Sequence, residues 1–87
     1  MINKELIDII NNWDPIGFFP MAPKNEYYSE IMRIQNFLEN TKFLDVNKIA
    51  TKINEIFVEE FGDDVYKQNL DDCIKIANEM MRVYNLF

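Results

Sequence analysis

The segment from Trp13 to Tyr27 constrains this chain most, because it interrupts an otherwise helical pattern with a proline-rich and strongly apolar run. It contains all three prolines, the only tryptophan and one of the two glycines. Pro15 disfavours helical dihedral angles at Asp14, so a first helix is expected to end by Trp13.

The run Asp14-Pro15-Ile16-Gly17 has the residue types of a type I turn. Its aspartate carboxylate is expected to accept hydrogen bonds from the backbone N–H groups of Ile16 or Gly17. Pro20 and Pro23 then exclude a helix between them, and Pro23 suits the first turn of the next helix.

Residues 13–23, here called the strap, are too apolar for a solvated linker. The strap is interpreted as a cover over one end of a helical bundle. Two roles stay open: it closes the core of its own chain, or part of it is a docking surface, since loops on rigid scaffolds often carry function. The residues expected to shape it are Trp13, Asp14, Pro15, Gly17, Pro20 and Pro23.

Apolar residues at spacings of three and four predict four helices. The predicted ranges are about 2–12, 24–40, 46–61 and 70–85. Short connections between helices 2, 3 and 4 favour an antiparallel arrangement. The sequence therefore predicts one all-α domain over residues 1–87, a compact four-helix bundle with a long apolar, proline-rich loop between helices 1 and 2.

Local residue types refine the helix ends. Asn25 is a possible cap of the second helix, Asp45 is expected to cap the third, and Gly62 suits a left-handed residue after it. Residues 63–69 form either a separate turn that packs Val65 and Tyr66 on the core or a continuation into helix 4. Asn69, followed by two aspartates, favours a break.

The fourth helix has an unusually wide apolar arc. Its main stripe and the residues that extend it cover about half of the helix circumference at ~100° per residue. The main stripe is Leu70, Cys73, Ile74, Ala77, Met81 and Tyr84, and the extension is Ile76, Met80, Val83 and Phe87. A surface helix has a narrower stripe, so this helix is either central in the bundle or shared with a partner.

The chain is acidic, with a formal net charge of −6 and no histidine. This charge repels phosphate, so direct binding to nucleic acid or to an anionic membrane is not expected. Cys73 is the only cysteine and has no partner for an internal disulfide, which fits a reducing cytoplasm. Neither a signal segment nor a membrane-spanning run is recognised.

Catalysis, metals and cofactors find no support in the residue pattern. Without histidine there is no Ser/His/Asp or Cys/His set, and the two glycines do not form a phosphate loop. Asp63, Asp64, Asp71 and Asp72 lack the spacing of a calcium loop, and zinc is excluded by ligand count. We expect a protein that is not an enzyme and has no cofactor.

Two groups of residues are candidates for protein contacts. The first is acidic and crowds the end of helix 3, where it is either an ordinary solvated face or a patch that attracts a basic partner: Glu55, Glu59, Glu60, Asp63 and Asp64. The second is apolar: Phe18 and Phe19 in the strap with Tyr28 and Met32, which lie off the main stripe of helix 2.

The strap also carries a family resemblance. Trp13-Asp14-Pro15-Ile16-Gly17, Pro20, Pro23, Glu26-Tyr27 and Glu30-Ile31, followed by Ile56-Phe57, Phe61-Gly62 and Cys73-x-x-Ile76-Ala77, resemble the YugE-like family of small uncharacterised bacterial proteins. Asn25 stands where that pattern has an aspartate. The resemblance covers nearly the whole chain and implies a compact all-α domain from Gram-positive bacteria, with no activity and no site residues to carry over.

These observations favour a cytoplasmic, non-catalytic protein-interaction module, either as a homodimer or with another protein. One alternative is an inhibitor-like or immunity-like protein that covers a basic enzyme site with its acidic face. The other alternative is a small-molecule binder, which would need a pocket beneath the strap.

Overall fold

The computed structural model describes residues 2–84, which contain four α-helices and no strand. The helices are α1 (Lys4–Trp13), α2 (Tyr28–Asn40), α3 (Val46–Phe61) and α4 (Leu70–Val83). Each helix packs against the next one along the chain, and α4 also packs against α1. The predicted all-α, four-helix arrangement is confirmed, with the long connection between α1 and α2.

Both ends of α1 are fixed by side-chain or backbone hydrogen bonds. The Asn3 side chain caps the helix by accepting from the backbone N–H groups of Glu5 (2.8 Å) and Leu6 (3.3 Å). At the other end, the Asp14 N–H donates to the carbonyl of Ile10 at 2.8 Å. The helix therefore ends at Trp13, as the proline at position 15 predicts.

The predicted start of the second helix near Lys24 is wrong, because α2 begins at Tyr28. Residues 23–28 instead form tight turns, in which Glu26 donates to the Pro23 carbonyl and Tyr28 donates to the Asn25 carbonyl. Asn25 is therefore not the cap of this helix. The cap position is held by Tyr27, whose phenol oxygen is engaged with the strap and makes no capping bond.

The cap at the start of α3 agrees with the prediction, but the left-handed residue predicted after its end is not found. Asp45 caps the helix by accepting from the Lys48 N–H at 2.8 Å. Gly62 follows the last residue with φ 77° and ψ 162°, so its φ is positive but it is not left-handed helical. Its N–H donates to the Val58 carbonyl at 2.8 Å.

Residues 63–69 form a turn and an extended segment that separate α3 from α4. The Tyr66 N–H donates to the Gly62 carbonyl at 2.9 Å, and the Tyr66 ring is buried. Val65 is 53% exposed, so only one of the two residues expected on the core lies there. Asn69 caps α4 by accepting from the Asp72 N–H, which confirms the predicted break.

Helix α4 packs against both α1 and α3, and each of the other three helices likewise packs against two neighbours, so α4 is not more central than they are. Its buried residues come from both the predicted stripe and its extension: Cys73, Ile76, Ala77, Met80 and Met81. Leu70 was expected on the stripe but is 54% exposed, because it is the first residue of the helix at the end of the bundle. Asn85 and Phe87 lie outside the described residues.

The core contains residues of all four helices. The stripe predicted for the second helix, Tyr27, Ile31, Ile34 and Leu38, is buried. Seven aromatic rings from the strap, the cap position of α2, α3 and the turn before α4 contact one another: Trp13, Phe18, Phe19, Tyr27, Phe57, Phe61 and Tyr66. This cluster joins the strap to the rest of the core.

Candidate functional site

The strap is held by one carboxylate, that of Asp14. It accepts hydrogen bonds from the backbone N–H groups of Phe18 (2.9 Å) and Phe19 (3.1 Å) and from the Tyr27 hydroxyl (2.6 Å). The sequence predicts donors at Ile16 or Gly17, whereas the main backbone donors are the next two residues, and Gly17 makes the smallest contribution to the lowered pKa of this carboxyl. The Gly17 N–H also donates to the Asp14 carbonyl at 3.1 Å, which closes the predicted four-residue turn.

Tyr27 is the other anchor of the strap, and its side chain is fully buried. Its hydroxyl donates to Asp14 and accepts from the Ile16 N–H at 3.0 Å. Burial and the neighbouring carboxylate both raise the pKa of Tyr27 far above its ordinary value, so it stays a neutral donor. Burial also opposes ionisation of Asp14, but the hydrogen bonds from Tyr27, Phe19 and Phe18 outweigh it and lower the pKa of that carboxyl.

Phe18 and Phe19, two predicted contact residues, are partly buried. The Phe18 ring lies 5.2 Å from Tyr27 and 5.9 Å from Phe61, and the Phe19 ring lies 5.9 Å from Tyr27. These rings form part of the cover over the core and are only partly accessible to solvent. The exposed large apolar residue of the strap is Met21, which is 92% exposed.

Four of the five exposed large apolar residues among residues 2–84 lie at one end of the molecule. We call this the strap end and define it as residues 14–30 and 59–71. The four are Met21, Tyr28, Val65 and Leu70, and the fifth, Phe43, lies in the connection between α2 and α3 at the opposite end. Sequence reasoning chose Tyr28, did not single out Met21 or Val65 as contact residues, and placed Leu70 on the main stripe of helix 4. Met21 and Val65 are both large apolar residues in loops, and Val65 lies beside Tyr66, which the core takes.

Met32, the partner chosen for Tyr28, is partly buried on α2. Tyr28 is 48% exposed at the first position of the same helix. The pair therefore offers an apolar surface that is largely the tyrosine ring.

The strap end is also strongly acidic. It holds eight of the fifteen acidic residues of the chain but only two of the nine basic ones, Lys24 and Lys67. The acidic members are Asp14, Glu26, Glu30, Glu59, Glu60, Asp63, Asp64 and Asp71. Exposed apolar residues and exposed carboxylates therefore share this end.

The acidic residues predicted as one group at the end of helix 3 have different partners within the chain. Arg33 of α2 donates to Glu59 at 2.6 Å and to Glu60 at 3.1 Å. Glu55 lies further down α3 and pairs with Lys52 at 3.3 Å. The Asp63 carboxylate accepts from the Gln68 side chain at 2.6 Å, and Asp64 is exposed.

Glu30 is a buried carboxyl that sequence reasoning did not single out. It is 5% exposed, and its Oε1 has no hydrogen-bond partner among the described residues. Burial raises its pKa, and the charges of Glu60 and Glu26 act in the same direction, against its own backbone N–H and Arg33. Its position in the first turn of α2, next to the core stripe, explains why it is enclosed.

Cys73 is fully buried in α4, as the stripe predicts. Its Sγ lies 3.3 Å from the Tyr66 hydroxyl, which also donates to the Asn54 side chain at 3.1 Å. Burial raises the pKa of the thiol, only partly offset by the hydrogen bond to Tyr66. The thiol is thus a packed core group rather than an exposed nucleophile.

Several surface grooves among the described residues are large enough for a ligand or a side chain to enter. One, about 680 Å³, lies between α1 and α4 and is lined by Ile9, Asn12, Trp13, Lys75, Ile76, Asn78, Glu79 and Arg82. Another, about 420 Å³, lies between α1 and the strap and is lined mainly by Asn11, Phe19, Pro20, Ala22, Pro23 and Lys24. The space directly beneath the strap is filled by the ring of Tyr27.

Within residues 2–84, no three His, Cys, Asp or Glu side chains are grouped as a metal site would require. Over the same residues, no helix is both long and apolar enough to cross a bilayer.

The geometry defines a small four-helix bundle whose strap is fastened by one Asp–Tyr hydrogen bond and whose strap end is apolar and acidic. The chain belongs to a family described as a domain of unknown function (DUF1871), whose pattern matches residues 5–86. No curated protein and no solved structure matches it.

Proposed function

We propose that this protein is a non-catalytic protein-interaction module of the cytoplasm and that the strap end is its docking face. The observation that carries the proposal is the placement of Met21, Tyr28, Val65 and Leu70 at one end of the bundle. Exposed large apolar residues that gather on one part of a small protein are typical of a binding surface.

The charge of the same end indicates what kind of partner fits. Asp63, Asp64 and Glu26 are exposed there, and the nearest cations, Lys24 and Lys67, are fewer. A partner with apolar side chains at the centre of its surface and lysine or arginine around them is complementary to this arrangement. Such charges chiefly increase the association rate and the specificity.

The rigid anchoring of the strap supports a docking role. Asp14, Tyr27 and the aromatic cluster fix the segment that carries Met21, so little ordering is needed on binding. A pre-ordered surface loses less conformational entropy when a partner binds. Phe18 and Phe19 contribute by holding the strap, and Tyr28 contributes its exposed ring.

The inhibitor-like alternative is less well supported. It needs Glu55, Glu59, Glu60, Asp63 and Asp64 to act together, but Arg33 and Lys52 already pair with the three glutamates and offset two of their three negative charges. The small-molecule alternative needs space beneath the strap, where Tyr27 lies. We further propose that the family of unknown function is the YugE-like family that the sequence resembles.

The proposal is tested by capture of partners from cells with three tagged forms: the natural protein, Met21→Lys and Phe43→Lys. Both substitutions replace an exposed apolar residue with lysine, at opposite ends of the bundle. We expect a partner that is retained by Phe43→Lys and lost from Met21→Lys, with binding that weakens in high salt. Calorimetry with the purified partner then checks the same order of affinities. Equal retention by both variants would refute the strap end as the docking face.

A further inference from the structure

Helix α4 carries a stripe of alternating charge outside the surface described above. Its members are Asp72, Lys75, Glu79 and Arg82. At ~100° per residue, their spacings of three, four and three keep them within an arc of about 80° on one face of the helix. The sign changes at each step along this face, from negative to positive, negative and positive.

Among residues 2–84, the side chains of this stripe take part in no ion pair. The ion pairs among residues 2–84 link α2 with α3 or lie within α3, and none involves α4. Lys75, Glu79 and Arg82 are exposed, and Asp72 is partly exposed. The stripe borders the groove between α1 and α4, where Ile9, Trp13 and Ile76 supply apolar surface.

The stripe is self-complementary about Ala77. Lys75 and Glu79 lie two residues on either side of it, and Asp72 and Arg82 lie five residues on either side. We propose that α4 packs antiparallel against α4 of a second copy, with the two-fold axis at Ala77. Lys75 then faces Glu79 of the second copy, and Asp72 faces Arg82 of the second copy. Each of these two ion pairs occurs twice, because the two-fold axis of the closed dimer repeats it.

Other arrangements of the same helices are disfavoured by the same charges. A parallel pair in register places each charge against its own copy. An antiparallel pair centred on Lys75 or on Glu79 places that residue against itself. Like charges at close approach suppress such pairings, so the stripe selects one register.

The apolar residues that line the groove between α1 and α4 provide the buried area that exposed ion pairs alone do not provide. Surface ion pairs contribute little affinity, whereas burial of apolar area drives association. Ile9 and Trp13 of α1 stand beside the stripe and extend the face beyond one helix. This interface is separate from the strap end and does not depend on the proposed function.

The test is sedimentation equilibrium at low salt, at protein concentrations up to about 1 mM, a range that detects weak dimers. The natural chain is expected to approach twice its monomer mass of 10.4 kDa. Lys75→Glu and Glu79→Lys each place like charges opposite one another at two symmetric contacts, which should weaken dimerisation about tenfold.

The double variant Lys75→Glu with Glu79→Lys restores opposite charges at both contacts, so its dimerisation should return close to that of the natural chain. It also keeps a favourable pair within the helix, because glutamate then precedes lysine by four residues. Lys42→Glu, in the connection after α2, is the matched control for net charge and should leave dimerisation nearly unchanged. A natural chain that stays monomeric throughout, or a double variant no better than the single ones, would overturn the proposal.

Discussion

The hydroxyl of Tyr27 donates a 2.6 Å hydrogen bond to the carboxylate of Asp14, thirteen residues earlier in the chain. Asp14 has φ 46° and ψ 61°, the left-handed conformation that ends α1 and directs the strap across the bundle. Aspartate tolerates this conformation better than most residues. The pair therefore couples the end of α1 to the start of α2.

Replacement of either partner should destabilise the strap. We expect Tyr27→Phe to lower the free energy of unfolding by about 1–3 kcal/mol. The Ile16 N–H would lose its acceptor, and the Asp14 carboxylate would lose the donor that the Tyr27 hydroxyl provides. Asp14→Asn keeps a residue that tolerates the left-handed conformation but removes the charge, so it should lower the free energy of unfolding by a similar amount. Urea denaturation of both single variants and the double variant gives the coupling energy.

We expect the double variant to cost less than the sum of the single ones, since both remove the same bond. The lowered pKa of Asp14 means that its contribution is present above the unfolded value of about 3.8 and is lost as the pH falls through the folded value. The coupling should therefore vanish in strong acid. Strictly additive costs at pH 7 would show that the two side chains do not act as a pair.

The buried carboxyl of Glu30 should make the free energy of unfolding depend on pH in the opposite sense to Asp14. Burial raises its folded pKa above the ordinary value of about 4.5 for glutamate, so the folded state favours the protonated carboxyl. The free energy of unfolding should therefore fall as the pH rises from about 4.5 through the folded pKa. Glu30→Gln should remove this decline and stabilise the protein at pH 7 by about 1 kcal/mol, since an unpaired buried charge is replaced by a neutral amide.

Glu39→Gln is the matched control for Glu30, because Glu39 lies on the same helix, is exposed and is not one of the charges that act on Glu30. It should leave the pH profile of stability unchanged. If Glu30→Gln and Glu39→Gln gave the same profile, the buried carboxyl would not be the source of the pH dependence.

Gly62 offers a test of backbone conformation alone. Its φ of 77° is costly for a residue with a side chain, yet an added Cβ would meet no atom within 4 Å. Gly62→Ala should therefore destabilise the protein by about 1–3 kcal/mol through backbone strain without any steric clash. Thermal unfolding measures this, with Asp64→Ala in the same turn as the control that should have almost no effect.

Cys73 should be protected from thiol reagents in the native state. It is fully buried, and burial raises the pKa of its thiol, so little thiolate is accessible near neutral pH. We expect a disulfide reagent at pH 8 to react at least about a hundredfold more slowly with native protein than with protein unfolded in urea. Comparable rates in the two states would contradict the burial of this thiol.

The signals that are local in sequence predicted the local structure. The break after Trp13, the caps Asp45 and Asn69 and the positive φ of Gly62 each depend on a few neighbouring residues, so composition and spacing were sufficient. The buried stripe of α2 also followed from spacing alone. The start of α2 did not follow from spacing, because Tyr27 forms a hydrogen bond with Asp14, which lies thirteen residues earlier in the chain.

The docking face was only partly predictable for the same reason. The choice of Tyr28 followed from its position off the α2 stripe. Met21 and Val65 lie in loops without periodicity, where the sequence does not tell which apolar residues the core takes. The pairing of Arg33 with Glu59 and Glu60 joins two helices and has no sequence signature.

Site-specific photo-cross-linking in living cells tests the docking face most directly. A photoreactive phenylalanine derivative replaces either Met21 at the strap end or Phe43 at the opposite end, both of which are exposed. If the strap end is the docking face, irradiation should produce a discrete adduct with another protein from position 21 and none from position 43. Adducts from position 43 alone, equal adducts from both positions, or none from position 21 would contradict it.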